Sequence, residues 1–413
     1  MSGAALAPRR PWRGRRIVLG VCGGIAAYKV AQLARDLTQL GAEVDVVMTR
    51  SARRFVGAVT FEALTGRPVR TRLIESGRAL EHIRLAREAD LVCVAPATAD
   101  FLTRAAAGRG NDLLGAVLLA TRAPVLICPA MNDAMWAHAA TRANVDRVRG
   151  YGYVVVEPAV GPLAHGEGEG PGRLPDPAEL REHIGRALVG AGPLHGKRVL
   201  VTAGPTREPV DAVRVLSNRS SGRMGYALAA AAWRRGADVL LITGPTELAP
   251  PVGPRLQRAD TADAMAEAVG AALHGADVLL MAAAVADFRP AAAAAGKIKK
   301  REQPDAIALE PTPDVLAETR PCRPPHLVAV GFALETDDAV ANARAKLEQK
   351  ALDLIVLNAA GEPGAGFEVA TNRVTLIGRD GEPGELPLLP KDEVAERILD
   401  HIETLVELKN VGA

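Results

Sequence analysis

The chain has 413 residues, too many for one ordinary core, so two domains of roughly 200 residues each are expected. Apolar residues make up 48% and charged residues 24%, which argues against a mostly disordered chain. Lys plus Arg number 50 against 48 Asp plus Glu, a net charge of +2, and aromatics are 3%, so neither nucleic acid nor a membrane surface is indicated as a partner.

Residues 1–15 are basic and are expected to form a disordered tail. Arg15-Arg16 ahead of an apolar run superficially suggests twin-arginine export, but the run holds a glycine turn and lacks a cleavage site. No apolar stretch reaches the ~18 residues needed to span a bilayer. The four cysteines (Cys22, Cys93, Cys128, Cys322) lack CxxC spacing, so neither a zinc site nor a disulfide framework is expected, and a reducing, cytoplasmic setting fits.

The first half alternates strands and helices. Arg16–Val21 reads as a strand, Gly23-Gly24 as a turn, Ile25–Leu40 as a helix ended by Gly41, and Glu43–Met48 as a second strand. Further apolar runs follow at Leu91–Ala95, Val125–Cys128 and Val154–Val156. Such spacing predicts an α/β fold with a parallel sheet whose site lies at the carboxyl ends of the strands. The Gly- and Pro-rich stretch 161–177 reads as an irregular surface loop or flap, Pro177–Leu188 as a helix, and 189–196 as a linker. A second α/β pattern starts at Arg198. Its strands are RVLVTAG, ADVLLITG, ADVLLMAAAVADF, LVAVGFA, DLIVLNA and VTLIG; its helices include Gly222–Arg235 and the closing Lys391–Leu408. Two Rossmann-like or flavodoxin-like layers are expected, with different site loops.

The turn from Gly20 to Lys29 follows a strand and opens a helix, where backbone amides make an anion site. It departs from GxGxxG, so one phosphate, as in FMN, suits it better than NAD; alone, it reads equally as a packing turn. His82 precedes the strand ADLVCVAPATAD, whose APATAD end (95–100) has small residues that admit a flat ring to the backbone. PAMNDAMW (129–136) places Asn132 where its amide can bind a carboxylate. Further on, Ser220, Ser221 and Gly222 precede a helix as a phosphate cradle would. Lys297 and Lys299 alternate in the run KIKK. Asp287, read at a strand end, suits a ribose hydroxyl or Mg²⁺, and Lys346 and Lys350 share a helix face.

In this order, GGIAAYK, a His before ADLVCVAPATA, and P-x-M-N-x-x-M-W resemble the flavin-dependent cysteine decarboxylase family, with Gly-Pro-Gly-Arg at 170–173 resembling its substrate-covering flap. AGPTREPVDAVRVLSNRSSGRMG, AAAVADFRP, KIKK, PDVL and VGFALET resemble phosphopantothenate–cysteine ligase. The whole chain therefore resembles the bifunctional phosphopantothenoylcysteine decarboxylase/phosphopantothenate–cysteine ligase of coenzyme A biosynthesis.

The resemblance implies a decarboxylase domain at 16–188 and a ligase domain at 197–413. In the first, FMN sits on Gly23, Gly24, Ile25, Thr49, Ser51, Ala95, Pro96, Ala97, Thr98 and Met131. His82 is the base, Asn132 holds the substrate carboxylate, and Arg173 is the flap's substrate contact. Oxidation of the thiol to a thioaldehyde would create the electron sink that CO₂ loss requires. In the second, 4′-phosphopantothenate, cysteine, CTP and Mg²⁺ are expected on Arg207, Ser220, Ser221, Gly222, Met281, Ala282, Ala283, Asp287, Pro313, Asp314, Val315, Leu316, Phe332, Lys346 and Lys350. Asn218 and Lys297 are the catalytic pair, and Asp287 is the metal ligand. A homo-oligomer is implied, a dodecamer of decarboxylase trimers and ligase dimers. One departure stands out: where the family flap carries a cysteine, Ala164-His165-Gly166-Glu167 follows instead, so His165 is the candidate proton donor. The competing readings are a non-catalytic flavin-fold regulator, against which His82 and the ligase motifs weigh, and a nicotinamide oxidoreductase, which the missing GxGxxG disfavours.

Overall fold

A short apolar run flanked by turns buries both its faces most readily as an inner strand of a parallel sheet with helices on either side. The computed structural model describes residues 11–299, 306–335, 338–359, 366, 369–379 and 381–411, and its first strand, β1 (Arg16–Val21), behaves in this way. There follow α1 (Ala27–Gln39), β2 (Glu43–Met48), α2 (Ala58–Thr65), α3 (Glu81–Glu88), β3 (Leu91–Ala97), α4 (Ala99–Ala106), α5 (Leu113–Ala120) and β4 (Val125–Pro129). Next come α6 (Asp133–Ala137), α7 (Ala139–Gly150), β5 (Val154–Val155), β6 (Ala159–Pro162), β7 (Glu169–Arg173) and α8 (Pro177–Val189). The first sheet runs β2-β1-β3-β4-β5 with all pairs parallel. Strand order reverses between β1 and β3, and a crevice opens beyond their carboxyl ends.

The chain divides into two compact units between Val189 and Gly190. The second contains β8 (Arg198–Ala203), β9 (Arg207–Pro209), β10 (Val215–Ser217), α9 (Arg223–Arg234), β11 (Asp238–Thr243), β12 (Arg255–Arg258), α10 (Ala262–Leu273) and β13 (Val278–Met281). It continues with β14 (Phe288–Pro290), β15 (Leu309–Pro311), α11 (Val315–Thr319), β16 (Val328–Glu335), α12 (Ala339–Gln349) and β17 (Leu354–Ala359). It closes with β18 (Thr371–Asn372), β19 (Val374–Gly378), β20 (Gly384–Glu385), β21 (Leu389–Pro390) and α13 (Lys391–Val411). Its sheet order is β12-β11-β8-β13-β16-β17-β19-β20, parallel through β17 and antiparallel at β19 and β20. The first six strands have Rossmann order, and the switch point falls between β8 and β13. Both units are therefore α/β layers.

Four sequence expectations need correction. The basic tail does not extend to residue 15: Trp12 is buried and its indole N–H donates to Arg181 O at 3.2 Å, while Gly14 N–H donates to Gly41 O. The stretch 161–177 is not irregular, because β6 and β7 pair as an antiparallel hairpin. Its prolines are tolerated because a two-stranded ribbon leaves edge positions without ladder partners. ADVLLMAAAVADF is a strand only over Val278–Met281; the chain then leaves the sheet, and Asp287 precedes the separate β14. The segment read as a linker is partly structural: Leu194 is fully buried in the second core.

Buried charges join α9 to α13. Arg235 donates to Glu396, Asp400 and Glu403 at 2.8, 2.7 and 2.8 Å, and Arg234 reaches Glu396 at 2.7 Å. All five side chains are nearly buried. With both helices fixed, their first residues, Arg223 and Lys391, face one cavity at the carboxyl end of the sheet.

Candidate functional site

Backbone hydrogen bonds tie the loops of the first crevice together. Cys22 N–H donates to Pro96 O at 3.2 Å, Ala130 N–H to Ala97 O at 3.0 Å, and Met131 N–H to Gly172 O at 3.0 Å. Turn, strand end, Asn132 loop and hairpin thus form one wall. They enclose a cavity of about 400 Å³ lined by Gly23, Gly24, Ile25, Thr98, Met131, Asn132 and Arg173, among others. Helix α1 has no side-chain cap; Ala27 N–H donates to Gly24 O at 3.0 Å and Lys29 N–H to Ala26 O at 3.1 Å, so an anion there would meet the Gly23–Ala26 turn and the positive end of the helix. Asn132 Oδ1 accepts from Ala134 N–H at 2.9 Å, which commits the oxygen to capping α6 and leaves Nδ2 to donate.

The hairpin needs its glycines. A Cβ on Gly172 would lie 2.1 Å from Met131 O, so only glycine lets β7 lie against the Asn132 loop. Gly172→Ala is expected to lift the flap and lower turnover of the first unit at least tenfold, with the second unit's activity intact. Separate assays of the two half-reactions would check this.

Not every expected residue reaches the first cavity. Ser51 lies beneath it, where a Cβ on Gly23 would meet Ser51 Cβ at 2.3 Å, and Thr49 Oγ1 accepts from Ala52 N–H at 3.3 Å. Ala95, Pro96 and Ala97 are buried in β3. His165 is exposed at the hairpin tip; Ala164 and Glu167 of that tip line the cavity and His165 does not. His82 stands in the first turn of α3, outside the lining residues, with Nδ1 buried and without a partner among the described residues. Arg173 pairs with Asp176 at 2.7 Å, as does Lys29 at 2.9 Å, and these cations hold the Asp176 carboxyl below its usual range. Cys22, the cysteine next to the turn, is buried, and burial pushes its thiol up to about 12.

The second cavity, of about 460 Å³, gathers Asn218, Ser220, Ser221, Gly222, Met281, Ala282, Ala283, Asp287, Pro313, Asp314, Val315, Leu316, Phe332, Lys346 and Lys350. Gly222 has φ +76 and caps α9, a conformation that glycine adopts at little cost. Asn218 Nδ2 donates to Ala284 O and Val285 O at 3.3 and 3.0 Å, so Oδ1 is the atom it offers to a ligand. The two lysines are already paired, Lys346 with Glu335 at 2.5 Å and Lys350 with Asp314 at 3.0 Å. Burial opposes ionisation of Asp314, yet Lys350 and the Ala317 N–H hold its carboxyl below the usual value. Arg207 is exposed and outside the lining, as is Lys297; Lys300 lies outside the described residues. No group of three His, Cys, Asp or Glu side chains able to hold a metal occurs among the described residues. Asp287 alone suits Mg²⁺, which typically takes one or two carboxylates plus substrate phosphates.

Sequence reasoning missed Arg223, Asn358, Asn372 and Lys391, which line the same cavity. Burial and the nearby Arg223 lower the Lys391 ammonium to about 8. Single polar residues in short strands and at a helix start give no periodic signal.

Two α/β layers, one with a flavodoxin-like order and a phosphate-type turn, the other with Rossmann order and a glycine-capped helix, define a two-site enzyme. Residues 6–188 match the Flavoprotein family model, and residues 194–406 match that of the DNA/pantothenate metabolism flavoprotein C-terminal domain. The coenzyme A biosynthesis bifunctional protein CoaBC of Mycolicibacterium smegmatis is 48% identical over 95% of this chain and 98% of its own. That of Vibrio vulnificus is 44% identical over 95% and 98%. A crystal structure of the C-terminal domain of a coenzyme A biosynthesis bifunctional protein CoaBC is 40% identical over 52% of this chain and 99% of its own, with TM-score 0.46. The chain belongs to the CoaBC family of bifunctional coenzyme A biosynthesis proteins.

Proposed function

We propose that the chain performs two consecutive steps of coenzyme A synthesis: residues 197–413 join 4′-phosphopantothenate to cysteine with CTP and Mg²⁺, and residues 16–188 decarboxylate the product with FMN. The observation that carries this reading is the convergence of two motif sets on two crevices, each at the carboxyl ends of parallel strands.

FMN, when bound, supplies a reversible hydride acceptor. The Gly23–Ala26 turn, which lines the cavity at the positive end of α1, would receive its single phosphate, and Ile25, Thr98 and Met131 offer a largely apolar wall for a flat ring. Asn132 Nδ2 donates to the substrate carboxylate and orients it for CO₂ loss. His82 takes the thiol proton. His82 lies outside the lining of this cavity, and a site completed by His82 of a neighbouring copy would agree with decarboxylase halves that form trimers. Final protonation is assigned to His165, with Glu167 as the competing donor to be tested beside it.

In the ligase, a carboxylate repels nucleophiles, and transfer to a cytidylate gives it a good leaving group. Ser220, Ser221 and the α9 N-terminus cradle phosphate, Asp287 holds Mg²⁺, and Lys297 offsets triphosphate charge. Lys297 does this from the exposed segment 291–299. Ligase dimers joined with decarboxylase trimers give a dodecamer, and the setting is cytoplasmic. Among the described residues no helix is long and apolar enough to cross a membrane.

Mass spectrometry of products from 4′-phosphopantothenate, cysteine and CTP tests the reading. Mass corresponding to ligation followed by loss of CO₂ is expected, with released chromophore running as FMN. Absence of both products would overturn it.

A further inference from the structure

One corner of the second cavity has no assigned ligand. Strands β18 and β21 pair antiparallel with Asn372 opposite Leu389, and Lys391 N–H donates to Ala370 O at 3.0 Å. These backbone bonds set Asn372 and Lys391 side by side in the wall. Asn372 is 2% exposed; its Nδ2 donates to Asn358 Oδ1 at 2.9 Å, whereas its Oδ1 has no partner among the described residues. A buried amide oxygen without a donor is costly, and a ligand donor would relieve it. Beside it, Lys391 is 6% exposed and donates to Gly366 O at 2.8 Å. Arg223 lines the same cavity and lies near enough to depress the Lys391 pKa. Both cations open helices, α9 and α13, whose N-termini add positive potential.

A phosphate would answer the cations but would meet Asn372 Oδ1 with another acceptor. A zwitterion answers both, its carboxylate with the cations and its ammonium with the amide oxygen. Resting on the ligase reading above, we propose that this corner binds the α-amino acid co-substrate: Lys391 and Arg223 hold its carboxylate, and Asn372 Oδ1 accepts from its amine. The corner then selects an amino acid over a simple amine thiol.

Three measurements on the full chain test this. Pyrophosphate release from 4′-phosphopantothenate and CTP without cysteine reads the activation half-reaction alone. Asn372→Ala and Lys391→Met are expected to keep that release within about twofold while raising the cysteine KM at least tenfold. Cysteamine, which lacks the carboxylate, is expected to show a KM at least tenfold above cysteine in the wild type, unchanged in Lys391→Met. Parallel loss of pyrophosphate release in folded variants would assign the corner to triphosphate instead and overturn the proposal. Equal cysteine and cysteamine KM values in the wild type would overturn it even if a variant fails to fold. If the wild type releases no pyrophosphate, the ligase reading itself fails and this assignment falls with it.

Discussion

Replacing His82 by Asn is expected to stop CO₂ release from phosphopantothenoylcysteine, while ligation by the second unit continues. The larger expectation concerns mixtures. His82 stands in the first turn of α3, outside the lining of the cavity that holds Asn132, and its Nδ1 is buried without a partner among the described residues. If each site takes Asn132 from one protomer and His82 from the next, neither His82→Asn nor Asn132→Ala is active alone. A co-assembled equal mixture regains about a quarter of wild-type turnover, because one in four ring interfaces then pairs two intact residues. Turnover should therefore rise from background to about that quarter on mixing under exchange conditions. No recovery in mixed oligomers verified by native mass spectrometry would place both residues in one protomer's site.

The second large effect is on stability. Arg235 is nearly buried against three carboxylates, Glu396, Asp400 and Glu403. Burial disfavours its charge, but the three acids more than compensate and raise its pKa. Arg235→Met leaves those acids facing one another without the charge that all three share. Breaking such a buried network costs about 3–5 kcal/mol, on the order of 10 °C in the Tm of a unit this size. Calorimetry should show the second unit's transition fall by that amount, with the first unit's transition unmoved. A shift below about 2 °C would mean that water or rearrangement already screens these charges. The mutation also tests placement: α13 carries Lys391 to the cavity, so cysteine KM should rise at temperatures well below the new Tm.

Much of the architecture was legible because hydrophobic runs in parallel α/β layers repeat at a spacing that few other folds permit. The strands at Arg16–Val21, Glu43–Met48 and Arg198–Ala203, and the helix starting at Lys391, follow from run length and flanking turns. The hairpin β6–β7 was not legible. Its Gly-Pro-Gly looks like a chain breaker, and only the 2.1 Å approach of Met131 O to a Cβ at Gly172 explains why a strand there must lack side chains.

The sequence by itself determined which residue types stand at the strand ends, and in what order: glycine turn, Asn132 loop, Ser220-Ser221-Gly222 cradle. These local signals survive because each is a contiguous segment whose backbone conformation depends on its own residues. Only the tertiary structure decided which segments share a cavity. It brings Asn358, Asn372 and Lys391 to one wall with Arg223, although 168 positions separate Arg223 from Lys391 in the chain. It also leaves His82 outside the lining of the first cavity. The physical reason is that strand order and buried ion pairs, not sequence neighbourhood, set those distances, and neither leaves a periodic trace in the chain.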